Sequence, residues 1–418
     1  MVAMPKQNVP ALRLEGFDGE WNEMRLDQLF SSGSSGGTPS TNKPEFYGGD
    51  IPFLGISDIH SREVLSTEKT ITQLGLENSA ATLVPPGTVA LAMYASVGRV
   101  GILGQEMATS QAFYNMTFSD KETRDFVFTR LQMMESAGEW EPVIGAGTQR
   151  NLNAEKVRAT CVQIPPTLEE QQAIGAIFTN LDAAINQHTL KHKALQQSKT
   201  ALMQRMFPQE GQTVPELRLE GFSGEWGSAP LQQLASLFTD GDWIESKDQS
   251  TEGIRLLQTG NVGIGTFVQK SATQKWISEE TFKRLRCQEV LPGDILISRL
   301  PDPAGRACIV PMMPYRLITA VDCTIVRLSE ENDADYLVAY LGNPSYFEHI
   351  DTLLAGGTRQ RVSRSQLAAI EVPVPPTLEE QQAIGAVFTN LDQLIAAEAQ
   401  YIESLKQAKT ALLQRMFI

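Results

Sequence analysis

The sequence predicts an α+β protein in which two α/β domains are separated by a pair of long antiparallel helices that form a coiled coil. Three observations predict this fold. A long helical segment occurs twice, a short segment occurs twice ahead of the presumed domains, and the two stretches between these repeats share strand and turn signals but little sequence. At 418 residues the chain is long for one domain. The repeats divide it into two halves of similar length.

The long helical segment is the clearest repeat, because residues 165–207 match residues 375–417 at 28 of 43 positions. Each copy opens with two prolines, which cannot continue a helix backwards. A threonine that can cap the helix follows, and a glutamate three residues later can complete the capping box. Apolar residues then recur in alternating steps of four and three, the period of a coiled-coil seam. The predicted seam consists of Ile174, Phe178, Leu181, Ile185, Leu195, Leu202, Ile384, Phe388, Leu391, Ile395, Ile402, Leu405 and Leu412.

Two helices of matching length and seam in one chain favour an antiparallel pair, although each could instead pack on its own neighbouring domain. Three polar residues, His188, His192 and Glu398, interrupt the seams. If the helices are centred on one another, facing residues have numbers that add up to about 590, which places His192 opposite Glu398. We predict a partly buried pair that fixes the register. The alternative is that all three side chains point to solvent.

The shorter repeat reads PALRLEGFDGEW at residues 10–21 and PELRLEGFSGEW at residues 215–226. Since the segment after the first long helix has its counterpart at the start of the chain, we predict a pseudo-twofold molecule with its termini close together. The predicted divisions are an N-terminal repeated segment (1–21), a first variable domain (22–163), a long helix (164–208), a second copy of the N-terminal segment (209–226), a second variable domain (227–373) and a second long helix (374–418).

Each variable domain is predicted to be α+β. Short apolar runs such as TVALAMY, bounded by Gly, Pro and Asp, indicate strands. Residues 121–135 and 333–348 have helical spacing after polar starts, whereas residues 31–49 are predicted to be an irregular connection. A Gly-Thr segment, GAGTQRN in the first domain and AGGTRQR in the second, precedes each long helix.

Composition excludes several classes of protein. No apolar run is long enough to span a bilayer, and the start MVAMPKQNVP lacks the apolar core of a signal peptide, so we expect a cytoplasmic protein. The cysteines show no C-x-x-C spacing and the histidines form no zinc motif, so we expect neither disulfides nor a metal site but buried thiols.

Three motifs together resemble the specificity (S) subunit of type I restriction-modification systems: PPTLEEQQAIGAIFTNLD, LRLEGF-x-GEW and GGTPSTNKPEFYGGDIPFLGISDI. The resemblance covers nearly the whole chain. It implies two target-recognition domains, each reading one half of a split, asymmetric sequence in double-stranded DNA, with the helices setting the spacer. It also implies assembly with two modification (M) subunits, which bind S-adenosylmethionine and methylate adenine, and with restriction (R) subunits that translocate and cleave.

The residues agree with a non-catalytic role in such a complex. The N-P-P-Y or D-P-P-Y of an adenine methyltransferase does not occur, nor does the G-x-x-x-x-G-K-[ST] of a phosphate-binding loop. We therefore expect no cofactor in this chain, and we expect S-adenosylmethionine, ATP and magnesium on the partner subunits.

Side chains with paired donors and acceptors read base edges: Arg reads guanine, and Asn or Gln reads adenine. Each candidate has a structural alternative, since acids and amides stabilise turns, arginines pair with carboxylates and threonines cap helices. The two Gly-Thr segments are favoured, because an arginine beside flexible glycines can approach DNA closely. The candidates are Ser57, Asp58, Arg99, Gln111, Thr148, Gln149, Arg150 and Asn151 in the first domain, and Gln258, Asn261, Arg299, Arg306, Thr358, Arg359, Gln360 and Arg361 in the second.

The net charge of -14 is unusual for a DNA-binding protein. Acidic residues outnumber basic ones by 16 to 11 in the first variable domain and by 18 to 14 in the second. Because phosphate contacts supply much of the affinity for DNA, we expect the chain to bind DNA weakly without its partners. The acidity favours one alternative, a protein-binding scaffold that does not touch DNA. A second alternative, an enzyme in its own right, lacks a catalytic motif.

Overall fold

The computed structural model describes residues 8–144, 151–301, 303–355 and 360–418. The chain forms two compact units. The first unit consists of residues 1–190 and 399–418, and the second of residues 191–398. Each unit therefore holds one variable domain together with part of both long helices.

The first unit is a mixed α/β assembly. A five-stranded sheet has the order β2-β10-β7-β8-β4, a four-stranded sheet has the order β5-β3-β9-β6, and β1 pairs with β11. Its elements are β1 (Asn22–Arg25), β2 (Ser32–Ser35), β3 (Tyr47–Leu54), β4 (Glu63–Val64), β5 (Lys69–Ile71), α1 (Gln73–Glu77), β6 (Thr82–Val84), β7 (Val89–Ala92), β8 (Val100–Leu103), β9 (Met107–Thr109), β10 (Phe113–Thr117), α2 (Lys121–Ser136), α3 (Trp140–Ile144), α4 (Ala154–Ala159), β11 (Cys161–Ile164) and the start of α5 (Leu168–Met206).

The second unit repeats this plan with fewer strands. Its sheets have the orders β13-β19-β16-β17, β15-β14-β18 and β12-β20. Its elements, after the end of α5, are β12 (Gly227–Pro230), β13 (Ala235–Asp240), β14 (Ile254–Leu257), β15 (Lys275–Ile277), α6 (Glu279–Leu285), β16 (Ile295–Ser298), β17 (Ala307–Ile309), β18 (Leu317–Thr319), β19 (Cys323–Leu328), α7 (Ala334–Tyr340), α8 (Pro344–Leu353), α9 (Arg364–Ala368), β20 (Glu371–Val374) and the start of α10 (Leu378–Met416).

The first and last strands of each variable domain pair with one another. Asn22 lies opposite Ile164 in the antiparallel pair β1/β11, and Gly227 lies opposite Val374 in β12/β20. Asn22 and Gly227 are also the residues at which the sequence predicts the domains to begin. Both ends of each domain therefore meet in one short ladder next to a long helix.

The repeated residues build equivalent cores. In the first unit the ring of Phe417 lies 6.1 Å from Trp21 and 5.8 Å from Phe178, measured between centroids. In the second unit Phe207 lies 6.5 Å from Trp226 and 5.8 Å from Phe388. The variable domains add Phe126 and Tyr336, respectively, to these clusters. Since aromatic side chains bury large apolar areas, these clusters anchor the domains to the long helices.

The described segments nearest the two ends of the chain contact one another, in agreement with the predicted closeness of the termini. In the first unit the backbone N–H of Leu12 donates to the carbonyl of Arg415 at 2.7 Å. The equivalent bond in the second unit joins Leu217 to Arg205 at 2.8 Å. The same internal contacts thus occur in both units, as the predicted pseudo-twofold symmetry requires.

The long helices pack antiparallel, which confirms the predicted pair. In the first unit Lys409 Nζ lies 2.6 Å from Asp182 Oδ1. In the second unit Lys199 Nζ lies 2.5 Å from Asp392 Oδ1. The numbers in each pair add up to about 590, the predicted register of an antiparallel pair. All the predicted seam residues are buried or half-buried.

The polar residues of the seam lie where the helices meet. The ring of His188 packs on that of Tyr401 at 4.6 Å between centroids. Glu398 is buried, and Lys191 Nζ donates to its Oε2 at 2.8 Å. His192, one residue further, is half-buried. The solvent-exposed alternative is therefore wrong for these residues, while a direct pair between His192 and Glu398 stays a prediction.

An ion-pair clasp joins the shorter repeat to each long helix. In the first unit Arg13 donates to both carboxylate oxygens of Glu170, at 2.9 and 2.8 Å, and Trp21 Nε1 donates to the same group at 3.3 Å. The Glu170 side chain is 1% exposed. In the second unit Arg218 binds Glu380 in the same way. The glutamate predicted to complete a capping box is thus the acceptor of the clasp.

Replacing Arg13 with alanine is expected to destabilise the first unit, because the buried carboxylate of Glu170 would lose its cation. We expect the free energy of unfolding to fall by about 3 kcal/mol, which is the lower end of the range for breaking a buried ion pair. The lower end applies because the Arg13 side chain is partly exposed to water. Urea denaturation with hydrogen exchange would measure the loss and assign it to a unit. The matched control is Arg25→Ala, whose pair with Asp27 is exposed. Equal stability of the two variants would contradict the clasp.

Two other predictions need correction. Residues 333–348 form two helices, α7 and α8, because Asn343 caps a new helix whose first residue is Pro344. Residues 31–49, predicted to be irregular, contain β2, which pairs with β10 although SGSS has no strand preference of its own. Among the described residues, no helix is long and apolar enough to cross a membrane.

Candidate DNA interface

Four loops meet at one end of the sheet β13-β19-β16-β17. We call them the loop edge of the second unit: residues 241–243, the described residues 299–301 and 303–306, residues 320–322 and residues 360–362. Backbone hydrogen bonds tie them together, from Gly241 N to Cys323 O at 2.9 Å, from Arg299 N to Asp322 O at 2.9 Å and from Val362 N to Arg299 O at 3.1 Å. Loops on a fixed strand end can hold polar side chains in defined positions, as a binding surface requires.

Three of the candidate arginines lie on this loop edge, and two of them are internally bonded. Arg299 is 7% exposed; its Nη2 donates to Val321 O at 2.7 Å and lies 3.4 Å from Asp240 Oδ2. Arg361, by contrast, has a side chain that is 59% exposed and lies 3.6 Å from Asp322. Such an exposed ion pair is weak, so the Arg361 guanidinium can turn to a ligand at little cost.

Arg306 joins the loop edge to the turn after β14. Its Nε donates to Val262 O at 2.7 Å, its Nη2 to Thr259 O at 3.0 Å and its Nη1 to Pro303 O at 2.8 Å. These are positioning contacts for two loops. These acceptors are backbone carbonyl oxygens, whereas the alternative to DNA reading predicted a carboxylate partner for this arginine.

The turn after β14 carries two further candidates of the second domain, Gln258 and Asn261. Asn261 is 4% exposed; its Oδ1 accepts from Gln258 N at 2.9 Å, and its Nδ2 donates to Val268 O at 2.9 Å. It therefore stabilises a turn, which was the predicted alternative to a role in reading bases. That Gln258 and Asn261 also read bases stays a prediction.

The first unit has an equivalent loop edge: residues 36–38, 93–99, 110–112 and 151–152. Leu152 N donates to Met93 O at 3.0 Å, which corresponds to the bond from Val362 to Arg299. Thr38 Oγ1 donates to Gln111 Oε1 at 2.8 Å on the exposed side. The candidates Gln111 and Asn151 thus belong to one surface.

Arg99 and the turn after β3 carry three further candidates of the first domain. Arg99 Nε lies 3.6 Å from Glu135, so this arginine has the carboxylate partner that was the alternative to a role in reading DNA. Burial raises the pKa of Glu135, and the charge of Arg99 opposes this rise. Asp58 closes its turn by accepting from Gly55 N at 2.8 Å and also accepts from Glu68 N at 3.0 Å. Ser57 is exposed and stays a candidate.

The favoured Gly-Thr segments fall largely outside the described residues. This applies to Thr148, Gln149 and Arg150 in the first domain, and to Thr358 and Arg359 in the second. Their flanking residues Asn151, Gln360 and Arg361 lie at the loop edges, and both Gln360 and Arg361 are exposed. The assignment of these residues to DNA stays a prediction.

Sequence reasoning missed an exposed aromatic residue of the second loop edge, Trp243. It follows Gly241 as Thr38 follows Gly36. A Cβ on either glycine would collide with a strand carbonyl, that of Thr319 or Thr109, respectively. Gly241, two residues before Trp243, was the feature of the sequence that could have pointed to this loop, since a close approach between two backbone segments requires glycine. Tryptophan has no paired donor and acceptor with which to read a base edge, so the hydrogen-bonding criterion does not identify it.

Three of the four cysteines are buried and poorly suited to act as nucleophiles. Burial raises the pKa of Cys287 to about 11, that of Cys308 to about 12 and that of Cys323 to about 11. These thiols are buried, as predicted, and protonated at neutral pH. The prediction is wrong for Cys161, which is exposed because it lies on the outer face of β11. Within the described ranges, no group of three or more His, Cys, Asp or Glu could hold a metal ion.

Known proteins are similar to this chain in sequence and in fold. A family model described as "Type I restriction modification DNA specificity domain" matches residues 18–196 and 240–407. The MjaIX specificity subunit of Methanocaldococcus jannaschii is 24% identical over 192 residues, which are 45% of this chain and 44% of the relative. Across three such curated relatives of that organism, the matched part spans between 44% and 61% of the relative's length.

Solved structures show the same fold along nearly the whole chain. The crystal structure of a type I restriction-modification S subunit from M. genitalium has a TM-score of 0.63, with 15% identity, and covers 98% of this chain and 99% of that one. A chain from a study of complex assembly and conformational transition in the type I R-M system has a TM-score of 0.53, with 17% identity, and covers 95% and 97%. Because the family model matches most of the residues, this chain belongs to the type I restriction modification DNA specificity domain family.

Proposed function

We propose that this chain is the DNA sequence-recognition subunit of a type I restriction-modification complex. One observation carries the proposal: the same frame of clasp, aromatic cluster and long helix occurs twice, and each copy carries a domain with the same loop edge but different side chains. A repeated frame with variable loops suits a protein that reads two unlike DNA sequences in one way.

Each variable domain reads one half of a split target in double-stranded DNA. In the second domain the exposed Arg361 suits a contact to guanine or phosphate, while Arg299 and Arg306 position the loops around it. In the first domain the surface of Thr38 and Gln111 offers hydroxyl and amide groups. The two domains therefore present different chemistry, as an asymmetric target requires.

The long helices set the spacer between the two half-sites. Each is a single helix of 39 residues, about 58 Å long at ~1.5 Å per residue. Each begins in one compact unit and ends in the other. Both are held in register by lysine–carboxylate pairs, so their length is well defined.

Partner subunits supply the chemistry and much of the affinity. Because the frame occurs twice, it offers equivalent sites to two modification subunits; restriction subunits then join the complex. S-adenosylmethionine, ATP and magnesium bind to those partners, and this chain is non-catalytic. The excess of acidic residues in both variable domains supports a division in which the partners clasp the phosphates. The complex works in the cytoplasm, where its DNA lies.

Gel-shift assays with split-site duplexes test this function. With the modification subunits present, we expect binding that is lost when either half-site is scrambled, and much weaker binding by the chain alone. The acidic composition leaves one competing function, a scaffold that binds only proteins. Assembly with the modification subunits without any sequence-dependent DNA binding would favour that scaffold and contradict our proposal.

A further inference from the structure

Trp243 is the exception among the tryptophans of this chain. Its side chain is 71% exposed, whereas Trp21, Trp140 and Trp226 are at most 4% exposed and Trp276 is half-buried beneath Arg255. An indole exposes a large apolar area to water, so a surface tryptophan is costly unless a ligand covers it.

The backbone on both sides of Trp243 is anchored. Asp242 N donates to Thr319 O at 2.8 Å, and Asp242 Oδ2 accepts from Gln288 N at 2.9 Å. On the other side, Ile244 packs on the apolar cluster that contains Ile254. Because both neighbouring residues are fixed, the backbone already presents the indole at the surface. The loop therefore loses little conformational entropy when a ligand covers the indole.

The indole is open to a ligand. Trp243 is 71% exposed, and the charged groups that follow it on the loop are paired with each other, since Lys247 Nζ lies 2.8 Å from Glu245 Oε2. An exposed aromatic face is suited to stack on a nucleobase.

The surroundings favour DNA as the ligand. Arg361, with its exposed guanidinium, pairs with Asp322 in the turn whose flanking residues bond to Gly241 and Asp242. On the same loop edge, Arg299 Nε and Asp322 Oδ1 are buried without a hydrogen-bond partner in the described part of the chain. A cation and an exposed aromatic ring on one loop edge are the combination with which proteins hold a phosphate and a base.

We propose that Trp243 stacks on a base of the second half-site that becomes unstacked when the complex binds DNA. This inference rests on the proposed function and adds a contact that differs between the two domains. The first loop edge has Thr38 at the equivalent position, so it cannot stack there. The second half-site is therefore deformed by this indole, and no indole stands at the equivalent position of the first domain.

The test compares wild type, Trp243→Phe and Trp243→Ala in the full complex with its modification subunits. Met312→Ala is the matched control, because Met312 is an 81% exposed apolar residue of the same unit, at the opposite end of the sheet. Binding is measured on the split-site duplex. We expect Trp243→Ala to weaken binding about 5- to 150-fold, as loss of one stacked base does, Trp243→Phe to weaken it less, and the control to have no effect.

Tryptophan fluorescence gives a direct reading of stacking. The wild-type complex should lose emission when DNA binds, and Trp243→Phe should lack that change. If the wild-type complex binds the split-site duplex, and the Trp243 variants bind it equally well with the same loss of emission, the proposed function still stands and this inference is wrong. Weaker assembly of Trp243→Ala with the modification subunits in the absence of DNA would overturn it too, by making the indole a protein contact. Failure of the wild-type complex to bind any split-site DNA would overturn the proposed function and this inference with it.

Discussion

Exchanging residues 22–163 for the equivalent segment of a relative is expected to change one half of the recognised DNA sequence and leave the other half unchanged. Both ends of this segment lie in the β1/β11 pair, so the junctions fall outside the loop edge. The anchoring residues Trp21, Phe178 and Phe417 belong to the repeats and stay in place. The new domain therefore meets an unchanged frame.

The measurement is the methylated sequence in cells that contain the hybrid complex. The matched control exchanges residues 227–373, whose ends lie in the β12/β20 pair. That exchange should change the other half only. A hybrid that folds, methylates DNA and alters both halves would show that the two domains do not read separately.

Adding four residues to each long helix is expected to widen the gap between the half-sites by one to two base pairs. Four residues lengthen a helix by ~6 Å, and one base pair spans ~3.4 Å. The insertions belong in the middle of both helices, because adding residues to one helix alone would break the lysine–carboxylate register of the antiparallel pair. The bases of each half-site should stay the same, since no loop edge is touched.

The control adds the same four residues to the exposed connection at residues 209–213, outside the helices. There the gap should not change. An unchanged gap in the helix variant, in a complex that still methylates DNA, would contradict the view that the helices set the spacer. Bending of the DNA can absorb part of the mismatch, so the gap is read from the methylated sequence and not from affinity alone.

The long helices, their register and their seam could be predicted from the sequence because they depend on local periodicity and on duplication. Both signals are present in a single sequence. The break between α7 and α8 was predictable in principle from Pro344, which fits the first turn of a helix but not its interior. β2 was not, because its conformation comes from pairing with β10, which is distant in sequence.

The candidate site was only partly predictable. Residue type identifies side chains able to bind bases, but exposure depends on how the loops pack. Arg299 and Arg361 have the same chemistry, yet only Arg361 is exposed. Glu170 of the clasp shows the same limit. Its role in a capping box could be inferred from its neighbours in sequence, but its ion-pair partner Arg13 lies 157 residues away in the sequence.

Methylome sequencing of cells that express this chain with its modification subunits shows whether the chain directs methylation to a split target. We predict one methylated sequence consisting of two unlike parts separated by a gap of fixed length, with methylation lost when this chain is absent. A continuous target, or methylation that does not depend on this chain, would contradict it.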